Sequence, residues 1–237
     1  NEGFVYNRPM SENKTQLEND PLPEKIDYNN LMLKILSHEN VASRAPVYES
    51  YDKNVQGRVV NERGGTNAGV VAPFDSKKFP KEIKDDCFSA ALAHNPSIGK
   101  IDPYLVAQYA VIEACAKTVS VGASPLALTD CLCFGNPEKP EQMWQFSQSC
   151  AAIMETCSLL HFNGTDNLPI VAGNVSFYNQ SGDQSIPASP MIGCFGRVSK
   201  EQVLMNGFKS SDANIYLVGE APAFIGGSIV VDVLNIK

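Results

Sequence analysis

Residues 125–137 read Pro125-Leu126-Ala127-Leu128-Thr129-Asp130-Cys131-Leu132-Cys133-Phe134-Gly135-Asn136-Pro137: an apolar run that closes on polar and turn-forming residues. A helix-length segment follows from about Pro140 to His161, with Met143, Phe146, Cys150, Ile153 and Leu160 at helical spacing. A second apolar run, Leu168-Pro169-Ile170-Val171-Ala172, then passes into Gly173-Asn174-Val175-Ser176-Phe177-Tyr178-Asn179. Strand, helix and strand in this order predict a layered α/β or α+β fold. Both strands end in polar groups that packing does not need, so both ends are candidate places to grip a polar ligand.

Working outward, Asp102-Pro103 has the form of a helix start, Asp as N-cap and Pro at the first helical position. Leu105, Tyr109, Ile112, Cys115, Ala116 and Val119 then recur as the expected apolar stripe. Upstream, residues 55–60 and 67–72 read as short strands joined at Gly64-Gly65, and Cys87 to Ala93 as a third strand rich in small residues. Phe74 to Lys84 is a charged excursion between them. Downstream come a polar loop at 178–185 and a strand at 188–197. Asp27 to Leu36 offers one short helical stretch, and residues 1–30 have the polar, Pro-containing composition of a surface tether. Asn214-Ile215-Tyr216-Leu217-Val218 reads as one more strand and Gly226-Gly227-Ser228 as a turn. A strand that opens a layer without partners cannot bury its faces. Residues 213–237 are therefore expected to belong to a second domain lying mostly outside this sequence, or to pack onto another chain.

A chain of 237 residues with 43% hydrophobic content can build a real core. The formal charge of −7, with lysines and acids interspersed, argues against nucleic acid, which needs clustered Lys and Arg. No apolar run approaches the ~20 residues that span a bilayer, and nothing resembles a secretory leader. Seven cysteines stand at 87, 115, 131, 133, 150, 157 and 194 without a paired framework. Cys87, Cys115, Cys150 and Cys157 read as buried thiols of a reducing, cytoplasmic compartment.

Asp130 must be paired or hydrogen-bonded if buried. It either caps neighbouring amides or contacts a nucleotide, through neutral donors on base or sugar or through a metal ion, because bare phosphate would repel it. Gly173-Asn174 is either an exit turn or a place where a ligand lies against backbone, with the Asn174 amide oxygen available to a hard cation. Ser176 could donate to an anionic substrate. His38, His94 and His161 are far apart and read as structural residues. Cys131 and Cys133 would share one strand face; a metal or redox role calls for a second pair, so core packing is favoured. Neither Gly64-Gly65 nor Gly226-Gly227-Ser228 continues as a phosphate loop, and Trp144 falls beside the helical stripe.

The string Pro137-Glu138-Lys139-Pro140-Glu141-Gln142-Met143-Trp144-Gln145-Phe146, with residues 129–136 before it, closely resembles phosphoribosylformylglycinamidine synthases, in the small form of their large, ATP-binding subunit. Gly173 to Asn179 resembles the same family, as do Val5 to Pro9, Asn40 to Ser43, Tyr51-Asp52 with Val55-Gln56, and Asp102-Pro103-Tyr104. The resemblance implies the second of two repeats. Residues 1–45 would be the linker leaving the first repeat. Residues 46–206 would be an N-terminal-type α/β domain of the aminoimidazole ribonucleotide synthetase superfamily, whose mixed sheet supplies half of a closed barrel. Residues 207–237 would begin a truncated C-terminal-type domain. It further implies ATP contacts at Asp130 and Gly173, a magnesium ligand at Asn174 and a substrate contact at Ser176. The implied reaction converts formylglycinamide ribonucleotide to its amidine with ATP, magnesium and glutamine-derived ammonia. The implied partners are the first repeat, a glutaminase subunit and a small bridging subunit. No Glu-Ser-His-Asn-His-type catalytic motif is present, so the chain alone is expected to be inactive. Cys133 departs from the family, which usually has Asn there. Alternatives are another ATP-using member of the superfamily, such as a selenophosphate synthetase or thiamine-phosphate kinase, and a non-catalytic structural half.

Overall fold

The structure is a computed structural model and describes residues 7–8, 10–11, 22–51, 54–61, 64–162, 167–220 and 224–236. Most of the expected tether, Val5, Tyr6 and Pro9 of the Val5 to Pro9 string, Asp52 and residues 163–166 lie outside these. Helices α1 (Tyr28–Ser37), α2 (Ala45–Tyr48), α3 (Pro96–Gly99), α4 (Pro103–Ser120), α5 (Pro140–Leu159) and α6 (Ile229–Leu234) accompany strands β1 (Gly69–Val71), β2 (Asp86–Ala93), β3 (Ser124–Cys133), β4 (Ile170–Ser176), β5 (Gln180–Ser181), β6 (Gln184–Ser185) and β7 (Ser189–Ser199). Five strands form a mixed sheet in the order β1-β2-β7-β3-β4, and β5 and β6 make a separate small hairpin. Among the described strands only the β3–β4 pair is parallel; the long helix α5 is its crossover.

Asp102 caps α4 as its sequence predicts, its carboxylate accepting from the amides of Tyr104 and Leu105 at 2.8 Å each. The buried face of α4 differs from the expected stripe. Val106, Ala107, Ala110, Val111, Ala114, Cys115 and Thr118 face the sheet, while Tyr109, Ile112 and Val119 point outward. Small residues win because the helix lies close on the sheet. A Cβ on Gly196 of β7 would stand 2.6 Å from Thr118 Cγ2. Helix α5 joins the same layer, with Ser149 Oγ donating to the Pro103 carbonyl at 2.8 Å. Both long helices therefore cover one face. Beneath them the core runs through Leu128, Leu132, Phe134, Ile153, Ile192 and Cys194.

The opposite face carries no helix among the described residues. It exposes Phe88, Leu92 and Met191, with Phe88 stacked on Phe195 at 5.4 Å and Arg197 bonded to Asp86. Three expectations change. Residues 55–57 form a 3-10 turn rather than a strand, because Gln56 and Gly57 adopt positive φ; only Val59 bridges to Val71. Residues 214–218 form no strand: Leu217 and Val218 are each 93% exposed and find no ladder to join. Cys131 and Cys133 lie at half-buried positions outside the core, and Cys150 is half-buried too.

Candidate functional site

Strands β3 and β4 bring the two polar ends side by side. Their parallel register sets Asp130 against Gly173, Cys131 against Asn174 and Cys133 against Ser176. All four expected site residues therefore meet at one end of the sheet, where the chain leaves two neighbouring parallel strands. In open α/β sheets this carboxyl end is where ligands collect. The side chains do not all face the same way. Successive residues of a strand alternate, so Asp130 and Gly173 lie on the helix-covered face while Asn174 and Ser176 share the bare face with Cys131 and Cys133.

On the covered side, the Asp130 carboxylate occupies the space that a side chain at position 173 would fill. A Cβ there would meet its Oδ1 at 2.7 Å and Oδ2 at 2.9 Å. The missing Cβ thus seats Asp130 rather than a ligand. The carboxylate borders an apolar groove of about 380 Å³ between β3 and α5, lined by Leu132, Ile153, Met154 and Ile170 among others. Burial holds its pKa above the usual carboxylate value, partly offset by the Asn174 amide, which donates to it. Of the two readings of Asp130, amide capping is present, from the neighbouring strand. The groove leaves the carboxylate able to accept from neutral donors as well.

On the bare side, the Asn174 amide nitrogen lies 3.7 Å from Cys131 Sγ, and its Oδ1 is a hard oxygen donor of the kind magnesium takes. Beside the Asn174 amide oxygen this face carries the Ser176 hydroxyl, which Asn179 already engages at 3.1 Å. Among the described residues no three His, Cys, Asp or Glu side chains gather into a metal-binding group. Magnesium commonly keeps its waters and uses only one or two protein ligands beside substrate phosphates, so a single Asn fits as a partial contribution.

Two positioning residues were not anticipated. Asn179 donates through Nδ2 to the carbonyls of Phe134 and Ser176 and to Ser176 Oγ, at 3.1, 2.9 and 3.1 Å, tying the loop after β4 to the end of β3. Gln142 is buried and accepts the Gly135 amide at 3.0 Å, fixing the turn that leaves β3. Asn179 stood inside the polar string, but its role depends on folding back over the strand end, which local sequence does not reveal. The histidines stay apart, at the ends of α1, β2 and α5. Burial lowers the pKa of His94, which keeps its imidazole neutral. Among the described residues, no helix is long and apolar enough to cross a membrane.

The chain is 38% identical to the phosphoribosylformylglycinamidine synthase subunit PurL of Methanothrix thermoacetophila over 87% of its length, and 34% identical to that of Campylobacter jejuni subsp. doylei over 98%. It spans only 26% and 30% of those proteins. Among solved structures, the PurLQS structure from Thermotoga maritima superposes with a TM-score of 0.61 at 23% identity, covering 84% of this chain and 28% of that one. T. maritima PurL complexed with FGAR gives 0.53 at 26% identity, covering 68% and 24%. T. maritima PurL complexed with ATP gives 0.55 at 24%, covering 82% and 27%. Residues 65–198, more than half of the chain, match the description "AIR synthase related protein, N-terminal domain". The chain belongs to the AIR synthase related protein family.

Proposed function

We propose that this chain is part of a PurL-type subunit of phosphoribosylformylglycinamidine synthase and holds part of its ATP- and substrate-binding site. The observation that carries the reading is the parallel register of β3 and β4, which joins two polar strings 43 residues apart in sequence at one sheet end. Likeness to PurL over nearly the whole chain, and to PurL bound to ATP and to formylglycinamide ribonucleotide, supports it.

The reaction has to make a poor electrophile, an amide carbonyl, reactive. Phosphoryl transfer from ATP to the amide oxygen gives an iminophosphate and ADP; ammonia then attacks the iminophosphate carbon, and inorganic phosphate leaves as the amidine forms. Catalysis is largely positioning and charge compensation. Asp130, in its apolar groove, accepts from neutral N–H or O–H donors of the nucleotide base or sugar. Gly173 keeps that carboxylate in place. Asn174 would supply one oxygen to magnesium, whose charge would offset that of the triphosphate. Ser176, held by Asn179, donates to the ribonucleotide. The remaining groups come from the first repeat, which meets the apolar Phe88–Leu92–Phe195 part of the bare face and closes the sheet into a barrel. A glutaminase subunit and a small bridging subunit supply ammonia, and the assembly works in the cytoplasm.

The test uses the full-length subunit with ATP, magnesium, formylglycinamide ribonucleotide and ammonium. Asn174→Ala is expected to cut turnover by about 10- to 100-fold and Asp130→Ala to raise KM for ATP. Unchanged kinetics in both variants reject the reading.

A further inference from the structure

The bare face carries three sulfur atoms at the end of the sheet that holds the candidate site. Cys131 Sγ and Cys133 Sγ lie 3.9 Å apart on β3. Met191 of β7 pairs directly with Cys131 in the antiparallel register, so its side chain rises from the same face beside that thiol. Cys131 and Cys133 are half-buried, Met191 is exposed, and no helix covers them among the described residues. The remaining neighbours in register are Asn174 beside Cys131, and Ser176 and Ser189 on either side of Cys133. No ammonium or guanidinium group stands in these two rows to compete for the sulfurs.

From this arrangement we infer that Cys131, Cys133 and Met191 form a binding site for a soft, thiophilic d10 cation of the copper(I) type. Metal–sulfur bonds of about 2.3 Å set two sulfurs about 3.8 Å apart in a tetrahedral site and about 4.0 Å apart in a trigonal one. The observed thiol separation lies between these, so chelation needs little movement of the strand. Two thiols and a thioether are the donor set that selects copper(I) over hard cations. This answers the lack of a second cysteine pair: the third sulfur comes from a neighbouring strand, where no spacing rule within β3 could find it. Binding exchanges two S–H protons, released to solvent, for two metal–thiolate bonds, and Met191 adds a lone pair. No oxidant or reductant is consumed. The inference goes beyond the nucleotide reading and stands without it.

The experiment titrates the reduced full-length protein with copper(I) under anaerobic conditions against a colorimetric copper(I) chelator. Native protein is expected to retain about one more equivalent than Cys131→Ser or Cys133→Ser. X-ray absorption of the loaded native protein should report three sulfur neighbours, falling to two in Met191→Leu. Cys150→Ser, whose thiol lies on the covered side, should bind as the native protein does. Because position 133 lies outside the core, a Cys133→Ala variant with native circular dichroism provides a folded control that must also lose the equivalent. Retention of that equivalent in Cys133→Ser and Cys133→Ala, or its loss in Cys150→Ser, overturns the assignment.

Discussion

Under α4 and α5 the sheet presents Ala91, Leu128, Leu132, Ile192 and Cys194, all buried; on the reverse it presents Phe88, Leu92, Met191, Phe195 and Arg197. The covered face is made of small and medium side chains that let helices approach closely. The bare face keeps larger apolar groups and leaves Leu92 65% exposed. The same two faces divide the candidate site, Asp130 with Gly173 on one and Asn174 with Ser176 on the other. A short stretch of two strands thus serves a packed groove and an open surface at once, which the alternation of β-structure permits.

That contrast can be broken most severely from the covered side. Phe134 is fully buried and meets Phe146 edge-on at 5.4 Å, so Phe134→Ala is expected to lower unfolding stability by about 3–5 kcal/mol in urea titrations. Next comes the seat of the carboxylate. Gly173→Ala drives a methyl against Asp130, and a double-mutant cycle with Asp130→Ser should show a coupling of about 0.5–3 kcal/mol; simple additivity would deny that the two share one space. Asp102→Ala removes the two hydrogen bonds that the Tyr104 and Leu105 amides donate to its carboxylate at the start of α4 and should cost about 1 kcal/mol. On the bare face, Leu92→Ala in this chain apart from the proposed first repeat should stay within about 0.5 kcal/mol, so a large loss there would mean that another surface already packs on this face.

A pH test sharpens the comparison further. Burial raises the folded-state pKa of Asp130 above its unfolded value, so the folded chain resists ionising a group that the unfolded chain ionises readily. The native carboxyl carries no penalty below the unfolded pKa and becomes destabilising as pH rises through the folded one. Asp130→Asn should therefore be more stable than the native chain at neutral pH. That gain should vanish as pH falls through the ordinary carboxylate range. A gain that persists in acid would show that charge burial is not its cause.

Much of this was legible from local pattern. Asp102-Pro103 announced α4, the short helical stretch expected within Asp27 to Leu36 is α1, and the strand–helix–strand order around Asp130 and Gly173 predicted the layer fold. Local pattern failed where the answer lay in a partner element. Helical spacing alone fitted Tyr109, Ile112 and Val119 as well as it fitted Ala107, Ala110 and Ala114; the closeness of the sheet chose the alanines. Residues 214–218 have strand-like composition, but a strand needs a neighbour, and none pairs with them here. The opposed facing of Asp130 and Asn174 depends on the β3–β4 register, and the proximity of Met191 to Cys131 on the β3–β7 register. Neither register is written in any single segment.

Among the described residues strand β4 hydrogen-bonds to β3 alone, and its residues 170–175 are all exposed. Half of its backbone amides are secured by that single ladder and the other half look outward. Hydrogen exchange should therefore split the strand into slow and fast amides in alternation, and β4 should open before β2, β3 or β7, each of which is paired on both sides. Asn174 and Ser176 ride on an edge strand, so a partner strand or a ligand laid along that rim would slow its exchange without altering the buried layer.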